Sequence, residues 1–193
     1  MRELSLNVLD IAQNSIAAGA TLVTVAVTED TAADRMAIRV EDNGRGMTAE
    51  QVRRVQDPFY TTRTTRKVGM GVPLFRMAAE MAGGGLTIRS VPGEGTCVEA
   101  EFVRSHIDRM PLGDMVDTMV TLIRMNPQMD FLYRRQLDGR EMAVDTRELR
   151  GVLGDVPLNE PDVMDWIRDY IAEQTEQLLA PDAGAGDQRN NGG

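Results

Sequence analysis

Within residues 1–104 the apolar periodicity runs helix, strand pair, helix, strand pair. That order is the strongest constraint on the fold. A strand pair leaves one apolar face that helices must cover. Residues 4–18 read as a helix, because Leu4, Val8, Ile11, Ala12 and Ser15 recur at helical spacing and form a core-facing stripe. Gly19 is placed to end it in a left-handed cap. Residues 22–28 and 36–41 alternate and are rich in β-branched side chains, so they predict two strands joined by a polar loop. Thr48 with Gln51 forms a capping box and predicts a short helix to about residue 56. Residues 57–68 carry Thr, Arg and Lys without a period and read as a mobile loop. Residues 72–82 are helical, with Pro73 tolerated in the first turn and Gly83–Gly85 as the stop. Residues 86–91 and 96–103 are strands around the hairpin signal Pro92-Gly93-Glu94-Gly95.

After Arg104 the pattern changes. Pro111 is expected to open a helix carrying Leu112, Met115, Val116, Met119, Val120 and Ile123 on one face. Asp138-Gly139 marks a hairpin between residues 131–137 and 140–144. A short helix over 147–153 closes at Gly154, and Asn159 is the expected cap of a last helix with Val163, Trp166, Ile167, Tyr170, Ile171 and Leu178 on its apolar face. Residues 181–193, rich in Gly, Asn, Asp and Ala, read as a disordered tail.

Charge separates the same segments. Residues 1–104 hold 12 basic and 13 acidic side chains, whereas residues 105–180 hold 8 and 15. The net −7 of the second segment repels phosphate backbones, so no nucleic-acid partner is expected. No apolar run reaches the ~18 residues of a membrane span. Glu3, Asn7 and Asp10 interrupt the first apolar stretch, which argues against a secretory signal. The one cysteine, Cys97, forms no internal disulfide and fits a reducing compartment. The expectation is a cytoplasmic protein without a membrane partner.

Three clusters carry chemistry. Asn7, Asp10 and Asn14 share a polar stripe on the first helix, opposite the apolar one. Its oxygens suit a divalent cation, and a solvated helix face reads equally well. Asp42-Asn43-Gly44-Arg45-Gly46-Met47 follows a strand. The carboxylate can accept from an exocyclic amine while the glycines let a flat ligand approach the backbone. Gly69-Met70-Gly71-Val72 precedes a helix, with Arg63, Arg66 and Lys67 just upstream. Backbone N–H groups at a helix N-terminus make a natural phosphate seat.

The order of these clusters resembles the superfamily of histidine kinases, gyrase, heat-shock chaperone ATPases and mismatch-repair ATPases. Asp10–Thr21 looks like the N box, Asp42–Met47 the G1 box, Gly69–Leu74 the G2 box, and Gly93-Glu94-Gly95-Thr96 the closing motif under the adenine. Asp57–Thr62 resembles the segment leading into the ATP lid of histidine kinases. The resemblance covers about residues 3–104. It implies an α+β fold: a two-layer α/β sandwich with a mixed, mainly antiparallel sheet. Residues 1–104 would be the ATP-binding domain and residues 105–180 a small acidic α/β appendage.

The resemblance also implies roles. Asn14 would be the Mg²⁺ ligand and Asp42 the acceptor of the adenine amino group. Gly46 and Thr96 would line the adenine pocket. Gly69 and Gly71 would give the lid's phosphate contacts, with Lys67 or Arg66 as cationic helpers, and Gly44, Met47, Met70 and Val72 of the same motifs would also be cofactor-binding. Asp10 stands where hydrolysing members carry a glutamate that activates water. Aspartate is one methylene shorter, so the resemblance extends further for ATP binding than for hydrolysis. His106, the one histidine, follows the last strand of this segment and reads as a linker residue.

Three readings follow: a stand-alone kinase acting on a partner protein, a slow ATPase switch, and a non-catalytic ATP sensor. A homodimer is compatible with each. Residues 105–180 are the expected partner-binding part. Met110, Met115, Met119, Met125, Met129 and Met142 there suit a partner face as well as ordinary core packing.

Overall fold

The structure is a computed structural model, and it describes residues 3–57 and 70–181. Among those residues the chain runs α1 (Leu4–Ala17), β1 (Leu22–Asp30), β2 (Arg35–Asp42), α2 (Ala49–Val55), α3 (Gly71–Met81), β3 (Gly85–Val91), β4 (Gly95–Val103), α4 (Met115–Met125), β5 (Asp130–Leu137), β6 (Arg140–Asp145), α5 (Thr146–Leu153) and α6 (Pro161–Leu179). The α+β class expected from the sequence is observed. The strands make one mixed sheet in the order β3-β4-β2-β1-β5-β6. Every pairing is antiparallel except β1 with β5.

Period-2 burial explains the layering. Val23, Val25 and Val27 of β1 are buried, as are Met36, Ile38 and Val40 of β2 and Val98, Ala100 and Phe102 of β4. These residues share one face of the sheet. The helices α1, α3, α4 and α6 pack against the strands on this side and complete the core with Leu4, Val8, Phe75, Leu122 and Ile167.

The chain division expected at residue 104 separates two segments of one sheet. Residues 130–145 add β5 and β6 beside β1, in the register Val23↔Phe131 and Val25↔Tyr133. Glu29 of β1 accepts from Arg104 Nε at 3.1 Å and from Arg135 at 3.3 Å, which ties the segments together. The segment running on to residue 193 lies outside the described residues from residue 182.

Three expectations are corrected. Pro111 does not open α4. Gly113 has φ +80°, outside the helical region, and a Cβ there would lie 2.5 Å from Ser5 Oγ. The helix starts after Asp114, whose carboxylate accepts from Asp117 N at 2.8 Å. Residues 111–112 serve α1 instead: their carbonyls accept from Leu4 N and Ser5 N at 3.0 and 2.8 Å. The N-cap residue of α1, Glu3, makes no side-chain cap bond, so these carbonyls satisfy two otherwise orphaned donors. Asn159 likewise does not cap α6. Glu160 is the cap residue, held extended before Pro161 at the first helical turn. Nor do the methionines of the second segment form a surface. Met115, Met119 and Met142 are buried, Met110 and Met129 pack against the core, and of the six only Met125 is strongly exposed.

Candidate functional site

The C-terminal end of β2, the N-terminal end of β4, the last half of α1 and the start of α3 meet at one end of the sheet. Local sequence dictates the meeting. Gly19, at φ +76°, ends α1 and turns the chain into β1. The Asp42–Met47 turn is pinned from two sides: Asn43 Oδ1 accepts from Thr21 N and Leu22 N at 2.8 and 3.0 Å, and Arg45 N donates to Ala18 O at 3.0 Å. On the other side, Gly93 N donates to Arg45 O at 2.8 Å and brings in the β3–β4 hairpin.

Two glycines are required by this closeness. Gly46 has φ +65°, and a Cβ there would lie 2.0 Å from the Val91 carbonyl oxygen. Gly95, at φ +136°, would place a Cβ 1.9 Å from Asp42 O.

Asp42 stands at the centre. Its Oδ2 accepts from Ser15 Oγ at 2.6 Å and its Oδ1 from Gly44 N at 2.9 Å. Both oxygens are therefore oriented before any ligand arrives. Thr96 is directly opposite Asp42 in the β2–β4 register. Its hydroxyl lies 2.8 Å from Ser90 Oγ, which also donates to Gly95 O at 3.0 Å and accepts from Met47 N at 2.8 Å.

The polar stripe of α1 is not uniform. Asn7 is fully buried, and neither of its amide atoms has a partner among the described residues. This corrects the expectation of a stripe lying wholly opposite the apolar one: its first member lies in the interior. Asp10 is half-buried, and burial raises its carboxyl above the usual range. A Cβ on Gly71 would meet Asp10 Cβ at 2.9 Å, so glycine lets the start of α3 close onto that side chain. Asn14, one turn further, is exposed at the same end.

The start of α3 has Met70 as its N-cap residue and no side-chain cap. Among the described residues no side chain caps its first N–H groups. Met70 is exposed, whereas the Val72 side chain is buried in the core. Arg63, Arg66, Lys67 and Gly69 lie outside the described residues. Among the described residues no three of His, Cys, Asp and Glu gather closely enough to hold a metal ion.

The structure thus brings Asp10, Asn14, Asp42, Gly44, Gly46, Met47, Gly71 and Thr96 to one end of the sheet. Sequence reasoning missed two members of the site. Ser15 sat at core spacing, and its burial is real, but its hydroxyl serves Asp42. Ser90 carried no signal beyond its place two residues before the hairpin.

Residues 1–106 match the family described as "Histidine kinase-, DNA gyrase B-, and HSP90-like ATPase". The "Non-motile and phage-resistance protein" of Caulobacter vibrioides is 32% identical over 104 residues, covering 51% of this chain and 12% of that protein. "Sensor protein DegM" of a Bacillus species is 32% identical over 90 residues, covering 47% of this chain and 24% of its own length. The chain therefore spans a quarter or less of these relatives. A solved structure, "Aquifex aeolicus MutL ATPase domain complexed with ADP", aligns at 16% identity and a TM-score of 0.49, covering 88% of each chain. No helix of the described residues is long and apolar enough to cross a membrane.

Proposed function

This chain belongs to the histidine kinase-, DNA gyrase B- and HSP90-like ATPase family, and from that premise we propose that it binds ATP with Mg²⁺ and acts as a kinase-type regulator of a partner protein. The observation that carries the reading is the Asp42 carboxylate, held by Ser15 and Gly44 opposite Thr96. A fixed carboxylate beside a glycine turn suits the exocyclic amine of a flat base. Asn14 would offer its amide oxygen to Mg²⁺, and the start of α3 would face the phosphates. When bound, ATP supplies the transferable γ-phosphoryl group. The chain's residues position it and neutralise charge.

Action on a partner is supported by two features. Relatives of this chain are named as sensor proteins and sensor histidine kinases. Met70, Met77 and Met81 are each about half exposed along α3, on the helix whose start borders the site. Methionine accommodates irregular apolar surfaces, so this stripe suits a protein carrying the acceptor side chain. A second reading, a slow ATPase switch, draws on Asp10. Its raised carboxyl beside Gly71 has the character of a general base.

The test is calorimetric titration with a non-hydrolysable ATP analogue and Mg²⁺. Binding should be lost in Asp42→Ala and should lose its Mg²⁺ dependence in Asn14→Ala. Wild-type protein that takes up no nucleotide would overturn the reading. Phosphate release without a partner, abolished in Asp10→Asn, would favour the ATPase switch.

A further inference from the structure

The outer face of α6 has no role in the nucleotide site. Asp162, Asp165, Trp166, Asp169, Tyr170 and Glu173 recur at i, i+3, i+4, i+7, i+8 and i+11 and so form one stripe. Trp166 is 45% exposed, an uncommon state for this side chain. Its ring stacks on that of the half-buried Tyr170 with centroids 5.5 Å apart and planes 6° from parallel, making a flat aromatic plate whose exposed member is the indole.

The four carboxylates around that plate form no ion pair with any described residue. By contrast Arg168, on another face of the helix, is paired with Asp117 of α4 at 2.9 Å. The opposite side of α6 is anchored by Met164, Ile167, Ile171 and Leu178, all buried in the core. The stripe is thus presented on a fixed element.

We propose that this face of α6 docks an arginine-bearing basic segment of a partner protein. Charge complementarity selects the occupant: residues 105–180 carry a net −7, which attracts cationic peptide and repels nucleic acid and anionic lipid. Geometry selects arginine over lysine. A guanidinium can stack on the exposed indole, and Asp162, Asp165 and Asp169 lie within about one turn of Trp166 on the same stripe, where a carboxylate can accept from its N–H fork. The surface is separate from the nucleotide site. α6 packs over β5 and β6, and β6 lies three strand positions from β2, about 15 Å at the usual strand spacing. A docked segment leaves the site open, so the inference stands whether or not the chain transfers phosphate.

Trp166 is the sole tryptophan of the chain, so its emission reports docking directly. The full chain is titrated with short oligo-arginine, oligo-lysine and oligo-glutamate peptides. Oligo-arginine should change the emission saturably, and oligo-lysine should bind about tenfold more weakly. Asp165→Asn with Asp169→Asn should weaken oligo-arginine binding about tenfold. The control pair Glu148→Gln with Asp155→Asn removes the same charge elsewhere in the segment and should leave binding within about twofold of wild type. All four positions are exposed, and thermal melts confirm that the variants fold. Equal weakening by both pairs would reduce the effect to net charge and overturn the proposal. So would unchanged Trp166 emission with oligo-arginine, or equal binding of oligo-glutamate.

Discussion

Replacing Ser15 by alanine removes one hydroxyl and tests whether Asp42 is held for a purpose. The Ser15 Oγ to Asp42 Oδ2 distance is 2.6 Å, within the range of charge-assisted O–H···O⁻ bonds. Ile11 O lies at 3.4 Å from the same oxygen, too far to compete for the proton. A hydrogen bond to a charged group contributes about 1.5–3 kcal/mol. Ser15 is 4% exposed, so water does not reach the bond from the helix side. Asp42 is only half-buried and regains part of the loss from solvent. The expected cost is therefore about 1–2 kcal/mol. At roughly 2–4 °C per kcal/mol for a chain of this size, the Tm falls by about 2–8 °C.

Loss of orientation at Asp42 should also weaken nucleotide. If it costs about 1 kcal/mol, Kd rises about fivefold. Scanning calorimetry and titration with the ATP analogue measure both quantities on one sample. A variant with unchanged Tm and unchanged Kd would refute the reasoning, because the bond would then carry no energy. A lowered Tm with unchanged Kd would separate the two roles: the bond would hold the turn, and Asp42 would not touch the base.

Four further outcomes are expected. Gly46→Ala should lose about 3 kcal/mol or more in urea unfolding, since both the positive φ and the Val91 carbonyl at 2.0 Å oppose a Cβ. Gly139→Ala, at φ +83° with nothing within 4 Å, should lose only about 1 kcal/mol in the same assay. Glu29→Gln strips the partner from Arg135, whose side chain is 11% exposed, and should cost about 2 kcal/mol by denaturant titration. Burial pushes the Tyr133 hydroxyl up to about 12 from its ordinary 10.0. A raised folded value means stability is full below about pH 10 and falls as pH rises toward 12. Tyr133→Phe should remove that part of the alkaline loss in pH-dependent melts.

Much of this fold is legible in the sequence because local rules and tertiary packing agree. The capping box at Thr48 and Gln51 is present with both bonds made. The Asp138-Gly139 pair adopts positive φ at both residues and closes the β5–β6 hairpin. The boundary at Pro111 was not legible, because the carbonyls there answer α1, more than a hundred residues earlier in the chain. Spacing identified Asp42 as a candidate but assigned Ser15 to the core. A period of 3.6 reports which way a side chain points and not what its hydroxyl meets. The burial of Asn7 was illegible for the same reason: the helices packed on α1 come from later in the chain, and no pattern within α1 announces them. The membership of β5 in the first sheet needs a pairing across about a hundred residues, which no local periodicity encodes.

That pairing has a consequence for the order in which the protein is made. On the ribosome β1 acquires β2 early, and β2 in turn acquires β4, yet the other edge of β1 waits for β5, whose register partners arrive about a hundred residues later. At roughly 5–20 residues per second the wait is on the order of 5–20 s. Throughout it, the N–H and C=O groups of Leu22–Glu29 form an open strand edge, and the side of α1 on which α4 will later pack is uncovered. An open edge beside bare apolar surface is a template for a wrong chain. A fragment ending near residue 106, where the family match stops, would keep that template for its whole lifetime. The later segment thus acts as a built-in chaperone for the first: it closes the sheet from which it will never be released.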